Sequence, residues 1–339
     1  EIDKGKDEIM DDLSIIIPTH NRHKYFNRIK AYYKDFNIII YLVDSTENRS
    51  NYDFDNTNIK YIHMPNESFA SKLLEALDII VSKYVILCPD DDFIIYKTVL
   101  KAYRIIQQKS KIKTISGNFL IFNKKLDFSF NHQKQIINEK LIDDSDVNKR
   151  VVSFFTNYHQ ILWSMFDKEV LKVSFEIIKK ANFSNDNFIE LTIGSIACYQ
   201  GSILLLEDIW MIREYNESDH WGKRHKKIVH LYFNNENKQD FKNFKKLLDK
   251  HTKNKLSGQV LKSYLRFSQQ NVFIRYIKLI DKYINWKLIS YLKKVRLKRK
   301  SNKNINKNHI QKECVAVAEN SLYNNEIKKI HTILKSNEL

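Results

Sequence analysis

Glycine, proline and cysteine are scarce in this chain of 339 residues, which contains 6 Gly, 3 Pro and 3 Cys. Cys88, Cys198 and Cys314 lie far apart and in no ligand spacing, so we expect neither a disulfide framework nor a zinc site. No uncharged apolar stretch approaches the roughly 18 to 20 residues that a membrane span requires. With 43% hydrophobic residues the chain can bury a full core. The cysteine usage makes a reducing cytoplasm the expected location.

Acidic residues are fewer than basic ones, with 40 Asp and Glu against 57 Lys and Arg. The resulting formal net charge of +17 favours binding to phosphate-rich partners. Abundant Lys, Asn, Ile, Tyr and Phe together with little Gly and Pro are also typical of an AT-rich genome, so codon bias explains part of the basicity. We therefore expect no nucleic-acid partner. Lys293–Lys300 follows an aromatic stretch that includes Trp286, and this mixture suits peripheral contact with an anionic membrane surface. A solvated helix face is the alternative.

The first third of the chain alternates β-branched runs with helical stretches, which is typical of βαβ units and a mostly parallel sheet. Each strand candidate ends in polar or turn-forming residues; the four are Leu13–Ile17, Ile38–Val43, Ile59–His63 and Tyr84–Cys88. Helical spacing of apolar residues appears between them, in His23–Phe36 and Ser68–Ser82. Because ligands bind outside the carboxyl ends of parallel strands, the residues after these strands are the first candidates for a site.

The later elements are predicted in the same way. We expect helices at Thr98–Gln108, Lys168–Lys180 and Asn187–Tyr199, strands at Thr114–Phe122, Gln160–Phe166 and Ser202–Leu206, and an irregular segment at Asp127–Asp144. After about Phe233 the composition shifts to Lys, Asn and Leu in amphipathic helical spacing. We therefore divide the chain into a polar linker at 1–12, an α/β domain at 13–233 and a smaller, basic helical C-terminal region at 234–339. Whether an upstream domain precedes the linker stays open.

Three consecutive carboxylates, Asp90, Asp91 and Asp92, directly follow the fourth strand candidate. Two ionised carboxylates about 5 Å apart repel by about 3 kcal/mol at an effective dielectric constant near 20, so the triplet must be solvated or neutralised. A divalent cation is a natural neutraliser, since Mg²⁺ and Mn²⁺ prefer carboxylate oxygens. A solvated acidic turn is the alternative interpretation.

Four segments in order resemble the family 2 type glycosyltransferases with a GT-A fold. They are LSIIIPTHNR (Leu13 to Arg22), IIIYLVDST (Ile38 to Thr46), SFASKLLEAL (Ser68 to Leu77) and KYVILCPDDDF (Lys83 to Phe93). The resemblance implies an α/β fold of GT-A type, in which a mostly parallel, twisted sheet is flanked by helices. It covers about residues 13 to 222 and implies nothing for the remainder.

The same resemblance implies a site for a nucleotide-sugar donor. Its binding residues would be Pro18, Thr19, Asn21, Arg22, Asp44, Lys72, Asp90, Asp91 and Arg213. Asp44 would accept hydrogen bonds from the base, and Arg213 would contact the diphosphate or serve as an ordinary surface arginine.

Mn²⁺ or Mg²⁺ is the implied cofactor, and the register of the triplet leaves its ligand open. If Asp90 and Asp92 form the DxD motif of the family, Asp92 binds the metal, and we favour this register. In the other register Asp91 binds it. His220 lies where many GT-A enzymes have a loop that closes over the donor, which makes it a further candidate ligand, although a lone histidine is more often structural.

A candidate general base lies in the second half of the chain. Asp186 takes the position of the acid that deprotonates the acceptor in this family, although Asn185 replaces the acidic residue that commonly precedes it. Glu190, one helical turn later, is the alternative base. A carboxylate at a helix N-terminus also serves simply as a cap, which is the structural interpretation of Asp186.

The resemblance therefore implies a metal-dependent, inverting glycosyltransferase of bacterial surface-polysaccharide synthesis. It would move a sugar from a nucleotide-diphosphate donor to a glycan or lipid-linked acceptor, in the cytoplasm or at the inner face of the membrane. A sugar-phosphate nucleotidyltransferase is disfavoured because the loop after the first strand, PTHNR, has no glycine. A nucleic-acid or membrane binding module with a degenerate catalytic half is the alternative from another class. The oligomeric state stays open.

Overall fold

The computed structural model describes residues 10–123, 129–132, 138–214, 225–253, 255–268 and 323–336. A ten-stranded sheet forms its centre. The strands are β1 (Leu13–Thr19), β2 (Ile39–Asp44), β3 (Ile59–His63), β4 (Tyr84–Leu87), β5 (Phe93–Ile94), β6 (Ile112–Asn123), β7 (Ser129–His132), β8 (Lys140–Ile142), β9 (Met165–Asp167) and β10 (Ser202–Glu214).

Helices pack on this sheet and on one another. They are α1 (Phe26–Tyr33), α2 (Phe69–Ile79), α3 (Tyr96–Gln108), α4 (Val147–Thr156), α5 (Lys168–Ala181), α6 (Asn187–Gln200), α7 (Ile228–Phe233), α8 (Lys238–Thr252), a further helix α9 over 256–268, and α10 (Asn324–Ser336). A short 3₁₀ turn, His23–Tyr25, leads into α1.

The strand order in the sheet is β3-β2-β1-β4-β9-β6-β10-β5, with β7 paired to β6 and β8 paired to β10. The first four strands in this order are parallel, as are β6 and β10. Each of β5, β7, β8 and β9 pairs in the antiparallel direction. The predicted α/β class is confirmed, and the sheet is mixed because these short reversed strands, too short to show a sequence period, extend the parallel core.

The parallel strands position the site. All seven residues of β1 are buried, and so are all four of β4, which explains their nearly continuous apolar sequence. β1 lies between β2 and β4, and its last residue, Thr19, is in register with Asp44 at the end of β2. The polar residues that follow β1, β2 and β4 therefore meet at one edge of the sheet.

Caps define the ends of the helices that flank this core. The Ser68 hydroxyl accepts a hydrogen bond from Ser71 N at 3.1 Å and begins α2. Asp167 caps α5 in the same way, and Asn182 ends that helix in the left-handed conformation. The predicted helices at these places are confirmed to within a few residues.

Some elements differ from the sequence-based expectation. The predicted strand Ser202–Leu206 continues to Glu214, and the predicted strand Gln160–Phe166 is reduced to β9. The irregular assignment of Asp127–Asp144 was wrong in part, because β7 and β8 lie within it. Both strands are short and pair with strands far away in sequence, so local patterning gives little sign of them.

The C-terminal helices share the core of the sheet domain. Phe244 and Leu248 of α8 are fully buried against α5 and α6. At the far end of the chain, Ile330 and Leu334 of α10 are buried where this helix packs on α1. Lys329 Nζ donates to Tyr32 O and to Asp35 Oδ2, both at 2.9 Å. The division at residue 233 stays a prediction from composition.

Two further expectations concern the membrane. Within the described ranges, no helix combines the length and the apolar character that crossing a membrane requires. The basic stretch Lys293–Lys300, for which the sequence left membrane contact and a solvated helix face as alternatives, lies outside the described residues.

If α10 is part of the core, shortening one buried side chain on it should destabilise the whole domain. Ile330→Ala should lower the free energy of unfolding by about 2–4 kcal/mol, because it removes buried methyl groups and leaves a cavity. Lys328→Ala, at an exposed position of the same helix, should change it by less than about 0.5 kcal/mol. Urea denaturation followed by circular dichroism measures both. Equal stability of the two variants would show that α10 does not contribute to the core.

Candidate functional site

The acidic triplet forms the turn between β4 and β5, and arginines neutralise it. Thr19 Oγ1 donates to Asp90 Oδ2 at 2.7 Å, and Arg22 Nε lies 3.0 Å from Asp90 Oδ1. The same guanidinium pairs with Asp91 through its terminal nitrogen. Only 7% of the Asp90 side chain is exposed, compared with 20% for Asp91. The triplet is therefore not a solvated turn.

The end of β10 holds the third carboxylate. Arg213 Nε donates to Asp92 Oδ2, and the Glu214 backbone N–H donates to Asp92 Oδ1, both at 2.9 Å. Arg28 Nη1 donates to Glu214 Oε2 at 2.6 Å, and its other terminal nitrogen donates to the Asp91 carbonyl. Four carboxylates and three guanidiniums thus form one network, which we call the carboxylate–arginine network: Asp90, Asp91, Asp92, Glu214, Arg22, Arg28 and Arg213.

Burial acts against ionisation inside this network. It raises the pKa of Asp90 to about 6, even though the Arg22 charge acts in the opposite direction. Burial also raises the pKa of Asp92, against the charge of Arg213. Removing a guanidinium would leave a buried carboxylate uncompensated, so the arginines are required for the triplet to stay charged.

Asp44, at the end of β2, is fully buried and saturated with hydrogen bonds. Its oxygens accept from Thr46 N at 2.9 Å, Thr46 Oγ1 at 2.6 Å, Tyr61 OH at 2.7 Å and His23 Nε2 at 2.7 Å. Although burial raises the pKa of Asp44, these hydrogen bonds lower it by more. A contact between Asp44 and a nucleobase would require one of these donors to move.

The remaining residues predicted on the nucleotide side lie at the same edge. Lys72 Nζ donates to Thr19 O at 2.5 Å and to Ser45 Oγ at 3.0 Å, and burial lowers the pKa of Lys72 to about 8. Asn21 has a φ of 56° and its backbone N–H donates to Thr46 Oγ1 at 2.8 Å. Pro18 pairs in register with β2. The structure thus brings together the residues that were predicted to bind the nucleotide-sugar donor.

Glu190 on α6 is joined to the network through side chains. Tyr158 OH donates to Glu190 Oε2 at 2.9 Å, and Gln160 Nε2 donates to Glu190 Oε1 at 2.5 Å. Gln160 Oε1 in turn accepts from Arg213 Nη1 at 3.1 Å. Burial raises the pKa of Glu190, against the hydrogen bonds that it accepts. A continuous path therefore runs from Asp92 to Glu190.

Asp186 immediately precedes α6 and lies one turn before Glu190. Its side chain is 37% exposed, and His225 Nε2 lies 2.9 Å from Asp186 Oδ2. The side chain makes no capping hydrogen bond; instead, Asn185 Oδ1 accepts from Asn187 N at 2.9 Å. The interpretation of Asp186 as a simple cap is therefore not supported.

The described residues contain no group of three or more His, Cys, Asp or Glu side chains that could hold a metal ion. Mg²⁺, however, typically takes one or two carboxylates together with substrate phosphates and water. Asp91 fits that arrangement best, because it is the most exposed acid of the triplet, whereas only 2% of the Asp92 side chain is exposed. His220, the other predicted ligand, lies outside the described residues.

Sequence reasoning missed the residues that connect the predicted ones. Five such residues contact a predicted site residue through a side chain or backbone: Arg28, Glu214, Gln160, Tyr158 and His225. Arg28 and Glu214 are separated by 186 positions in sequence. The one available signal was the position of Glu214, directly after Arg213.

No protein-family model matches the sequence, and no significant match to a curated protein is found. Among solved structures, the chain is similar to residues 1–349 of TarS from S. aureus in complex with UDP-GlcNAc, with 13% identity, a TM-score of 0.51, and coverage of 81% of this chain and 77% of that chain. The same TarS segment in another structure has 12% identity and a TM-score of 0.47, with 81% and 76% covered. The first similarity shows a shared fold and confirms the GT-A-like α/β class.

The raised pKa of Asp90 predicts a defined pH dependence of stability. Between pH 4 and pH 6 the folded state retains a proton on Asp90 that the unfolded state has released, so the free energy of unfolding falls as pH rises through this window. Asp90→Asn removes this component. The difference in unfolding free energy, wild type minus variant, should fall by about 2 kcal/mol from pH 4 to pH 7 in urea titrations. Asp55→Asn, at an exposed position, should show no such trend. If the difference in unfolding free energy between wild type and Asp90→Asn does not change with pH, the pKa of Asp90 is not raised in the folded state.

Proposed function

We propose that this protein is a metal-dependent, inverting glycosyltransferase that moves a sugar from a nucleotide-diphosphate donor to a glycan or lipid-linked acceptor. The observation that carries the proposal is the carboxylate–arginine network at the carboxyl edge of the parallel strands in a GT-A-like fold. Ligands of open parallel sheets bind at that edge. The similar TarS structure contains UDP-GlcNAc, which makes this compound the first donor to test.

The donor diphosphate would lie at Asp91 and the arginines around it. Arg22 pairs with both Asp90 and Asp91, so it is close enough to exchange a carboxylate for a phosphate oxygen when the donor arrives. Lys72, buried beneath Thr19 and Ser45, adds a positive charge to the floor of the same edge. Thr19 and Asn21 would border the nucleoside.

Asp91, with Asp92 beside it, would hold Mn²⁺ or Mg²⁺. When bound, the cation would neutralise charge on the departing diphosphate. The sequence favoured Asp92 as the direct ligand. We now favour Asp91, because both oxygens of Asp92 already accept hydrogen bonds from Arg213 and Glu214.

Asp186 is the proposed general base. Its exposed carboxylate can reach an acceptor hydroxyl, and His225 orients it. The acceptor oxygen would attack the anomeric carbon as its proton moves to Asp186, while the bond from that carbon to the diphosphate breaks on the opposite face. Both oxygens of Glu190 are held by Tyr158 and Gln160, so we assign Glu190 the role of positioning Arg213.

Replacement of the base should separate catalysis from donor binding. Asp186→Asn should lower kcat for transfer by about 10²- to 10⁴-fold, since general-base assistance is lost, while the Kd for UDP-GlcNAc stays within about twofold of wild type. Glu190→Gln keeps the size of the side chain and should cost less. The measurement is product formation from radiolabelled donor beside calorimetric donor titration. A larger loss of kcat in Glu190→Gln than in Asp186→Asn would identify Glu190 as the general base and not Asp186.

The metal proposal predicts a cation-dependent part of donor binding. UDP-GlcNAc with Mn²⁺ should raise the melting temperature of the wild type more than UDP-GlcNAc with EDTA, because a ligand that binds only the folded state stabilises it. Asp91→Asn should remove the Mn²⁺-dependent increment. Asp78→Asn, at an exposed position with a single surface ion pair to Lys172, is the matched control and should retain it. An increment that survives in Asp91→Asn would exclude Asp91 as the ligand.

A further inference from the structure

A second concave surface lies beyond the network, between α7 and the start of α8. Its volume is about 590 Å³, within the range of about 300–1,000 Å³ that is usual for ligand pockets. Its lining includes Tyr232, Glu236, Lys238, Phe241, Lys242 and Lys245. We call it the α7–α8 cavity.

Three lysines give this cavity a positive charge. Lys238, Lys242 and Lys245 lie at i, i+4 and i+7 of α8, so they share one face of the helix, and all three are exposed. Charges of one sign around a concave surface reinforce one another and attract an oppositely charged ligand.

The acidic residues nearby are already committed elsewhere. Glu236 lines the cavity but pairs with Lys226 Nζ at 2.7 Å. Asp240, in the first turn of α8, is buried and accepts from Ser184 N and Asn185 N, both at 3.1 Å. The described part of the chain places no carboxylate in an ion pair with any of the three lysines. An anionic ligand would therefore meet their charges uncompensated.

Two aromatic rings, Tyr232 and Phe241, line the cavity. Tyr232 is 46% exposed, and the neighbouring Phe233 is 60% exposed. Tyr232 packs edge-on against Phe241 with ring centroids 5.6 Å apart, and Phe241 packs against the buried Phe188 at 5.0 Å. An aromatic ring held in this way offers a flat apolar face to the C–H face of a sugar ring, while the Tyr hydroxyl remains available for hydrogen bonding.

The cavity is also joined to the turn that carries Asp186. Phe188 follows Asp186 by two residues on α6. The Lys226 carbonyl accepts from Asn185 Nδ2 at 2.8 Å and from Asn187 Nδ2 at 3.1 Å, and the Lys226 side chain pairs with Glu236 at the cavity. Contacts through Lys226 and Phe188 therefore connect the α7–α8 cavity to the segment that carries the carboxylate we assign as the base.

We propose that the α7–α8 cavity binds an anionic glycan, that is, a chain of sugar units that bear phosphate, sulfate or carboxylate groups. The idea that this glycan is the acceptor of the transfer reaction rests on the proposed function. The binding of the glycan to the cavity does not depend on the proposed function. A recess with aromatic and lysine side chains fits a sugar chain better than it fits the flat surface of a bilayer.

Fluorescence anisotropy with a labelled heparin-derived hexasaccharide tests the binding. The triple variant Lys238→Ala, Lys242→Ala, Lys245→Ala should weaken binding by about tenfold or more. Each exposed charge pair with the glycan contributes modestly, and the variant removes three of them. The matched variant Lys34→Ala, Lys109→Ala, Lys111→Ala removes the same charge at exposed positions elsewhere and should lose less than about threefold. Neutral maltohexaose should bind far more weakly than the anionic chain. Equal losses in the two triple variants would overturn the proposal.

Tyr232→Ala distinguishes a glycan from a bare polyanion. It should weaken binding of the hexasaccharide by about threefold or more and leave inorganic tripolyphosphate unaffected. The proposal would also be overturned if vesicles of anionic lipid, or a single-stranded oligonucleotide, bound more tightly than the hexasaccharide through the same three lysines. Calorimetric titration of the wild type with UDP-GlcNAc and a panel of other nucleotide diphosphates gives the separate test. If the protein binds the hexasaccharide but none of these nucleotides, the proposed function is refuted and glycan binding at the cavity is retained.

Discussion

The structure depends on the need to bury four carboxylates at one edge of a sheet without leaving them unpaired. Uncompensated buried charges cost several kcal/mol each, and the three guanidiniums that meet them come from opposite ends of the domain. Arg22 and Arg28 follow β1, whereas Arg213 lies at the end of β10. Neutralising the triplet therefore ties the parallel half of the sheet to the mixed half, and the same contacts that stabilise the fold assemble the candidate site.

This arrangement explains how one edge can serve stability and ligand binding. A guanidinium that holds a carboxylate is also suited to a phosphate, because both are planar or tetrahedral oxyanions that accept its parallel N–H groups. The network thus holds its carboxylates and guanidiniums in place before a diphosphate and a cation bind. The path from Asp92 through Arg213 and Gln160 to Glu190 extends this order to α6, where the proposed base lies.

The sequence predicted what local patterning determines. β1 to β4, α2, α5 and α6 follow from apolar periodicity, and the triplet, Thr19 and Asp44 lie together as expected because the ends of parallel strands must meet. Lys72, which the family resemblance implied, lies on α2 and reaches the same edge. Local patterning could not predict contacts such as Arg28 with Glu214, which depend on how distant strands pair. It also suggested a cation as the neutraliser of the triplet, whereas arginines neutralise it in the structure, and a cation would add to them. The packing of α10 on α1 has no local signature either.

In the proposed function, the edge formed by Asp90, Asp91 and Asp92 binds a metal-coordinated nucleotide diphosphate. Anomalous diffraction from crystals grown with Mn²⁺ and UDP tests it most directly, since the scattering identifies the cation and the density places the diphosphate. We expect one Mn²⁺ peak within coordination distance of Asp91 and next to the diphosphate, with the Arg22 side chain shifted from the triplet towards a phosphate. A diphosphate bound elsewhere, or bound at this edge with no Mn²⁺ peak, would contradict it.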